Sequence, residues 1–245
     1  PARWIGSWRR ACGTARGGEG EMAWVTGDVI VTLVVAHLLA SIAAAEVRNL
    51  KLSAAALCVQ SLLLSAIFAA FAIVSQNPTL HWWALSTFLT KAILVPWLLY
   101  YYMRRLPHVE VKPLIGFAVS LIFLLIFLTA FYRFVHTYTE FIAPTEEALV
   151  EPARSSLAIA FTIFVLGLYV VMARRDAVKI VIGLILLENG VHLSLVTLAP
   201  TLPETTIFGI TTNVIVAAYL LLYLTERIYR QLRTVDTLQL SSLKR

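Results

Sequence analysis

The chain carries seven unbroken apolar runs of about 19 to 24 residues, joined mostly by short polar stretches. Inside lipid, backbone amides and carbonyls find no water, so only helices and closed barrels satisfy them. A membrane barrel alternates apolar and polar residues in segments of about ten. These runs do not alternate, so helices remain. The spans read Val25 to Ala45, Ser53 to Ser75, Leu80 to Met103, Pro113 to Val135, Ser155 to Ala173, Ala177 to Ala199 and Thr205 to Glu226. At about 1.5 Å per residue each crosses a hydrocarbon core of about 30 Å. The expected fold is all-α, a polytopic membrane helix bundle of about seven transmembrane helices in a lipid bilayer. Charged residues are 14% of the chain, against about 25% in soluble domains, which argues against a soluble enzyme.

The basic residues are grouped. Odd-numbered connections hold Arg48 and Lys51, then Arg104, Arg105 and Lys112, then Arg174, Arg175 and Lys179. The C-terminal tail adds Arg227, Arg230, Arg233, Lys244 and Arg245, whereas the even connections hold only Arg133 and Arg154. The positive-inside rule therefore predicts a cytoplasmic C-terminus and an N-terminus outside, in a prokaryotic plasma (inner) membrane. This grouping also accounts for the net charge of +6 without a nucleic-acid partner. Arg3, Arg9, Arg10 and Arg16 disagree with the orientation. Their segment has no apolar stretch of the secretory-signal type and ends just before Met22. Residues 1–21 are therefore expected to be a polar N-terminal extension, disordered or not native, with residues 22–245 as a single transmembrane domain. The stretch from His136 to Arg154, with Glu140, Glu146, Glu147, Glu151, Pro144 and Pro152, reads as a solvated loop.

Two ionisable residues lie too deep to be loop residues. Lys91 stands about halfway along the third span and Glu188 in the middle of the sixth. Facing lipid, each would cost about 2.5 to 3.5 kcal/mol on insertion scales. Both are expected to face a protein interior or a hydrated cavity, as candidates for a proton path. The plain alternative is a structural ion pair between them. Such pairs often contribute little net stability against hydrophobic replacements. His192 lies four residues after Glu188, on the same helix face, and is the third candidate. Asn213 is the fourth; it and His37 are polar side chains in apolar spans, suited to interhelical hydrogen bonds. Asp28, Glu46 and Glu226 read as helix-end residues within reach of water. Trp82, Trp83, Trp97 and Tyr100 to Tyr102 read as an interfacial aromatic belt.

No catalytic set is legible. The chain shows no P-loop, no GxGxxG and no Ser-His-Asp arrangement. Its two cysteines, Cys12 and Cys58, form no CxxC and no metal spacing. No metal site and no cofactor are expected in this chain. Moving protons needs none of these, only titratable groups in a dry bundle.

The run from Arg174 through Lys179, Gly183 and Glu188 to Asn189 and Gly190 resembles the corresponding helix of the hydrogenase-4 membrane component E family. Thr90-Lys91-Ala-Ile-Leu-Val-Pro96 is similar to a lysine motif of the same family, and Leu202-Pro203 before a helix with Gly209 fits it too. The resemblance runs from about Met22 to about Arg233. More distantly, the last three spans resemble the K-type membrane subunit of respiratory complex I and the C subunit of multisubunit Na⁺/H⁺ antiporters. The resemblance implies a non-catalytic membrane-arm subunit of a multisubunit hydrogenase or complex-I-like oxidoreductase, contributing to proton or sodium translocation coupled to electron transfer. Implied partners are antiporter-like membrane subunits and hydrogenase or complex-I-like peripheral subunits. Glu188 sits three residues after the distant K-type glutamate position, which falls at Ile185 here. Component E proteins tend to be acidic where this chain has Ile207 and Asn213, so the second half of the usual acidic path is missing. Two alternatives stay open: a purely structural bridging subunit of the same kind of complex, which the missing acids favour, or a stand-alone small ion transporter. The absence of an internal repeat weighs against the transporter.

Overall fold

The computed structural model describes residues 19–75, 78–105, 116–142, 151–199 and 204–232. These residues form seven helical rods: α1 (Glu19–Glu46), α2 (Leu50–Ser75), α3 (Pro78–Met103), α4 (Phe117–Ile142), α5 (Ala153–Ala173), α6 (Ala177–Leu198) and α7 (Glu204–Leu232). Six of them, α1 to α6, are long and apolar enough to cross a membrane. The seventh has 29 residues, or about 43 Å of helix at ~1.5 Å per residue. No strand occurs among the described residues. The all-helical bundle expected from the apolar runs is the one observed.

Boundaries differ in instructive ways. Helix α4 runs to Ile142, so the first part of the expected 136–154 loop is helical, with a break at Tyr138 (φ −117°, ψ 21°). Its start at His136 is tied down at both nitrogens. Nδ1 bonds the Tyr132 carbonyl (2.8 Å) and Nε2 meets Glu151 Oε1 (2.9 Å). Helix α1 begins at Glu19, inside the stretch assigned to the extension; residues 1–18, like Leu202-Pro203, lie outside the described residues.

The bundle is organised around α6. Helix α5 packs against it more closely than any other pair, while α1, α2 and α7 also touch it. Glycines make the α5–α6 approach possible. A Cβ on Gly167 would lie 2.3 Å from the Leu187 backbone nitrogen, and one on Gly190 would lie 2.6 Å from that of Phe164. Lipid tails are as apolar as leucine, so close backbone approach of this kind, rather than hydrophobicity, holds membrane helices together. Helices α1, α2 and α3 form a second group beside it, and α4 lies outside, packed on α5.

One end of the bundle is closed by charge, and here the sequence reading needs correction. Lys179 is not a loop residue: it lies buried in the first turn of α6. Its ammonium donates to the Ala44 and Ala45 carbonyls (2.9 and 3.2 Å) and to Ser53 Oγ (2.8 Å). A cation there satisfies carbonyls that the end of α1 leaves without intrahelical donors. Asp176 caps α6, accepting from the Val178 and Lys179 amides. Glu46 and Glu226 are not freely hydrated either. The Glu46 carboxylate, almost buried, meets Arg174 at 2.7 Å, and buried Glu226 meets Arg105 (3.4 Å) and Arg230 (2.6 Å). Neighbouring helix ends cover these carboxylates, so only Asp28 keeps the exposure expected of all three. The aromatic belt is likewise only half surface: Trp82, Trp97, Tyr100 and Tyr101 are exposed, whereas Trp83 and Tyr102 belong to the core.

Candidate functional site

The site begins with a proline. Pro96 has no N–H to offer the Ala92 carbonyl, and its ring crowds that oxygen. Helix α3 answers with a wide turn: Phe88–Leu94 is π-helical, and the Val95 amide reaches back five residues to the Thr90 carbonyl. The Ala92 carbonyl accepts instead from the Cys58 thiol of α2 (3.4 Å). Neighbouring side chains commonly re-satisfy groups freed by a proline in a membrane helix. Lys91 sits in this π segment, 1% exposed. Such single-turn insertions are frequent at functional positions.

Lys91 Nζ meets three acceptors from α6. Glu188 Oε2 lies at 3.2 Å, Asn189 Oδ1 at 2.7 Å and His192 Nδ1 at 2.9 Å. An ammonium has three protons and no lone pair, so each proton has a destination. Glu188 is 4% exposed, and Asn189 and His192 are fully buried. The four-residue spacing of Glu188 and His192 brings His192 Nδ1 to 3.5 Å from Glu188 Oε1 and 3.0 Å from the Glu188 carbonyl. Glu188 Oε1 has no hydrogen-bond partner among the described residues.

The polar contacts do not stop at α6. Asn189 Nδ2 donates to Gln60 Oε1 of α2 at 2.6 Å, and Gln60 Nε2 lies 3.2 Å from His37 Nε2 of α1. His37 Nδ1 in turn donates to the Gln60 carbonyl at 2.9 Å. All three side chains are fully buried. Four helices thus contribute to one continuous polar track: Glu188 and Lys91, then Asn189, Gln60 and His37.

Of the residues singled out in the sequence, Lys91, Glu188 and His192 come together, and His37 joins them through two amides. Asn213 does not: it is exposed on α7. The Ile207 side chain lies outside the described residues, and Ile185 is buried in the apolar core one turn before Glu188. Gln60 was missed. Its signal was available, a lone amide between Leu57 and Leu64 in a run where only the small Ser61 beside it is also polar. Among the described residues no group of three His, Cys, Asp or Glu side chains is placed to hold a metal ion.

Fold and site together define a polytopic membrane protein whose interior is built on a lysine–glutamate pair at mid-span. The comparisons say which one. Residues 155–245, covering α5 to α7, match the family of NADH-ubiquinone/plastoquinone oxidoreductase chain 4L. The chain is also 32% identical over 224 residues to hydrogenase-4 component E of Escherichia coli (strain K12), of Escherichia coli O157:H7 and of Shigella flexneri; each alignment spans 90% of this chain and 100% of the relative. It belongs to the hydrogenase-4 component E family. No solved structure matches it at a significant level.

Proposed function

We propose that this chain is a non-catalytic subunit of the membrane arm of a hydrogenase or complex-I-like oxidoreductase, and that Glu188 and Lys91 lie on its ion path. The observation that carries the reading is the buried contact of Lys91 with Glu188 at 3.2 Å, in a chain related over its length to hydrogenase components. A charge pair costs several kcal/mol to desolvate and often adds little net stability. A titratable carboxylate with one oxygen on Lys91 and the other facing His192 is suited to taking up and passing a proton.

The partners that fit are antiporter-like membrane subunits and peripheral subunits carrying the electron chemistry. The setting is the prokaryotic inner membrane, with residues 22–245 as the transmembrane unit, the N-terminus outside and the C-terminus in the cytoplasm. Supporting that orientation, Arg105, Arg174 and Lys179 engage the same end of the bundle, where α1, α3 and α5 finish and α2 and α6 begin.

The test is Glu188→Gln in the assembled complex. Translocation per electron pair is expected to fall about tenfold or more while assembly and electron transfer persist. Unchanged coupling removes the path role. A second reading, a bridging subunit that conducts nothing, is favoured by the exposure of Asn213, which leaves α7, among the described residues, without a polar group in the interior track. It predicts a harmless Glu188→Gln.

A further inference from the structure

The track running from Lys91 to His37 has a direction. A charged Lys91 only donates, so Asn189 must turn its oxygen toward it (2.7 Å). That turns the Asn189 amide nitrogen to Gln60, which must present Oε1 (2.6 Å). Gln60 then has only its N–H to offer His37 Nε2 (3.2 Å), so that ring nitrogen must be unprotonated. His37 keeps its single hydrogen on Nδ1, where the Gln60 carbonyl accepts it (2.9 Å). One charge at Lys91 therefore fixes two amides and one imidazole, across three further helices. Each link is fully buried, so water does not compete.

The opposite polarity is equally complete. With Lys91 neutral, a protonated His37 donates from Nε2 to Gln60 Oε1, Gln60 donates to Asn189 Oδ1, and Asn189 donates to the lysine lone pair. Each hydrogen bond along the track again joins a donor to an acceptor. The change of polarity breaks one N–H bond at Lys91, whose proton passes to the Glu188 carboxylate at 3.2 Å, and forms one at His37 Nε2 with a proton taken from the aqueous phase. Between them the two amide groups turn over and carry no proton themselves. The mixed state, with both ends charged, leaves two N–H groups facing each other in a buried interior with no acceptor between them, which is costly.

We propose that His37 is a second proton-carrying group of this centre, and that Asn189 and Gln60 form an amide relay which makes charge on Lys91 and charge on His37 mutually exclusive. Asn189 and Gln60 are positioning residues: neither titrates, but their orientation transmits the state of one end to the other. The titratable groups around the relay are Lys91 on α3, Glu188 and His192 on α6, and Cys58 on α2, which is engaged by the Ala92 carbonyl. Helix α5, which also packs on α1, has none between Ser155 and Leu168. The inference deepens the ion-path reading and rests on it for its purpose. It places the second proton-carrying group on α1, whereas Asn213 of the last helix is exposed and outside the track.

The experiment reads the His37 ring directly. The full chain with ¹⁵N-labelled histidines is held in native lipid at about pH 6, inside the range where imidazole titrates. Ring ¹⁵N shifts report protonation and tautomer, and His37→Gln identifies its signals among the five histidines. In the unsubstituted chain His37 is expected neutral with hydrogen on Nδ1. Replacing Lys91→Met and Glu188→Gln together removes one positive and one negative charge, so the net charge of the centre stays constant. The protonated fraction of His37 is expected to rise about tenfold, a coupling of the size that contacting residues show. Adding Gln60→Met removes the acceptor, and the rise is expected to vanish. Asn189→Leu, cutting the relay one link nearer Lys91, frees Gln60 from Lys91, so in that background the Lys91→Met and Glu188→Gln pair is expected to produce no further rise; it serves if Gln60→Met does not accumulate. A rise that persists through either break, or no rise in the first place, overturns the relay. No translocation is measured, so a harmless Glu188→Gln and a failed relay are separate results.

Discussion

Helices α4 and α6 are built from similar material and end in opposite places. The spanning part of α4 has a mean hydropathy of 2.2 and that of α6 only 1.8, yet 17% of the most apolar stretch of α4 is buried against 67% for α6. The less apolar helix is the inside one. In water this ordering would be perverse; in lipid it is what the physics requires. An exposed leucine loses nothing to hydrocarbon, so apolarity does not select a helix for the interior. Close-packed glycines and polar side chains that need partners do. Helix α6 has Gly183, Gly190, Glu188, Asn189 and His192, all buried. Helix α4 turns Ile122, Phe123, Leu125 and Ile126 outward.

The comparison can be broken most sharply at Lys91. Lys91→Met alone leaves Glu188 buried without its cation, and about 3–5 kcal/mol of stability is expected to be lost. Lys91→Met with Glu188→Leu is expected to recover most of that. Thermal unfolding in mild detergent checks both, and equal losses in the two variants would show that the pair is not what holds α3 to α6. A smaller effect is expected from Gly190→Ala, whose methyl meets the Phe164 backbone. Overpacking of about 1–3 kcal/mol should push α5 from α6, seen as a lower melting temperature and a slower disulfide cross-link between cysteines placed across that interface. The smallest belongs to α4: Ile126→Leu, on the exposed face, should change stability by less than about 0.5 kcal/mol. A large loss there would mean that a protein, not lipid, covers α4.

How much of this was legible beforehand follows from the same contrast. Hydropathy reports whether a segment enters lipid, so seven helices could be read from seven runs, and Lys91 and Glu188 stood out as interruptions that lipid does not tolerate. The spacing of Glu188 and His192 fixed their shared face. Hydropathy does not report which way a helix faces. The burial of Trp83 and Tyr102, and the covering of Glu46 and Glu226 by neighbouring helix ends, depend on where other helices lie. The π segment had a local cause in Pro96, but a proline can kink, break or widen a helix. Only the chain around it chooses. Gln60 escaped because a single amide is a weak signal until its partners are in place: Asn189 on one side, His37 on the other.

The balance of buried charge has an electrical consequence. Among the described residues the buried charged side chains are three cations, Lys91, Arg174 and Lys179, and three anions, Asp176, Glu188 and Glu226. Of these, only Lys91 and Glu188 stand at mid-span, and in their ordinary ionised forms they sum to zero, so the resting centre does not respond as a net charge to the voltage across the membrane. One extra proton at the centre changes that. Carrying a unit charge across the whole membrane is worth about 2.3 kcal/mol per 100 mV, so stopping halfway is worth about half as much. A proton at Glu188, the middle of α6, therefore samples about half the membrane voltage. On the ion path proposed above, the occupancy of this centre acts as a voltmeter: the energised state of the membrane biases how often the pair is charged.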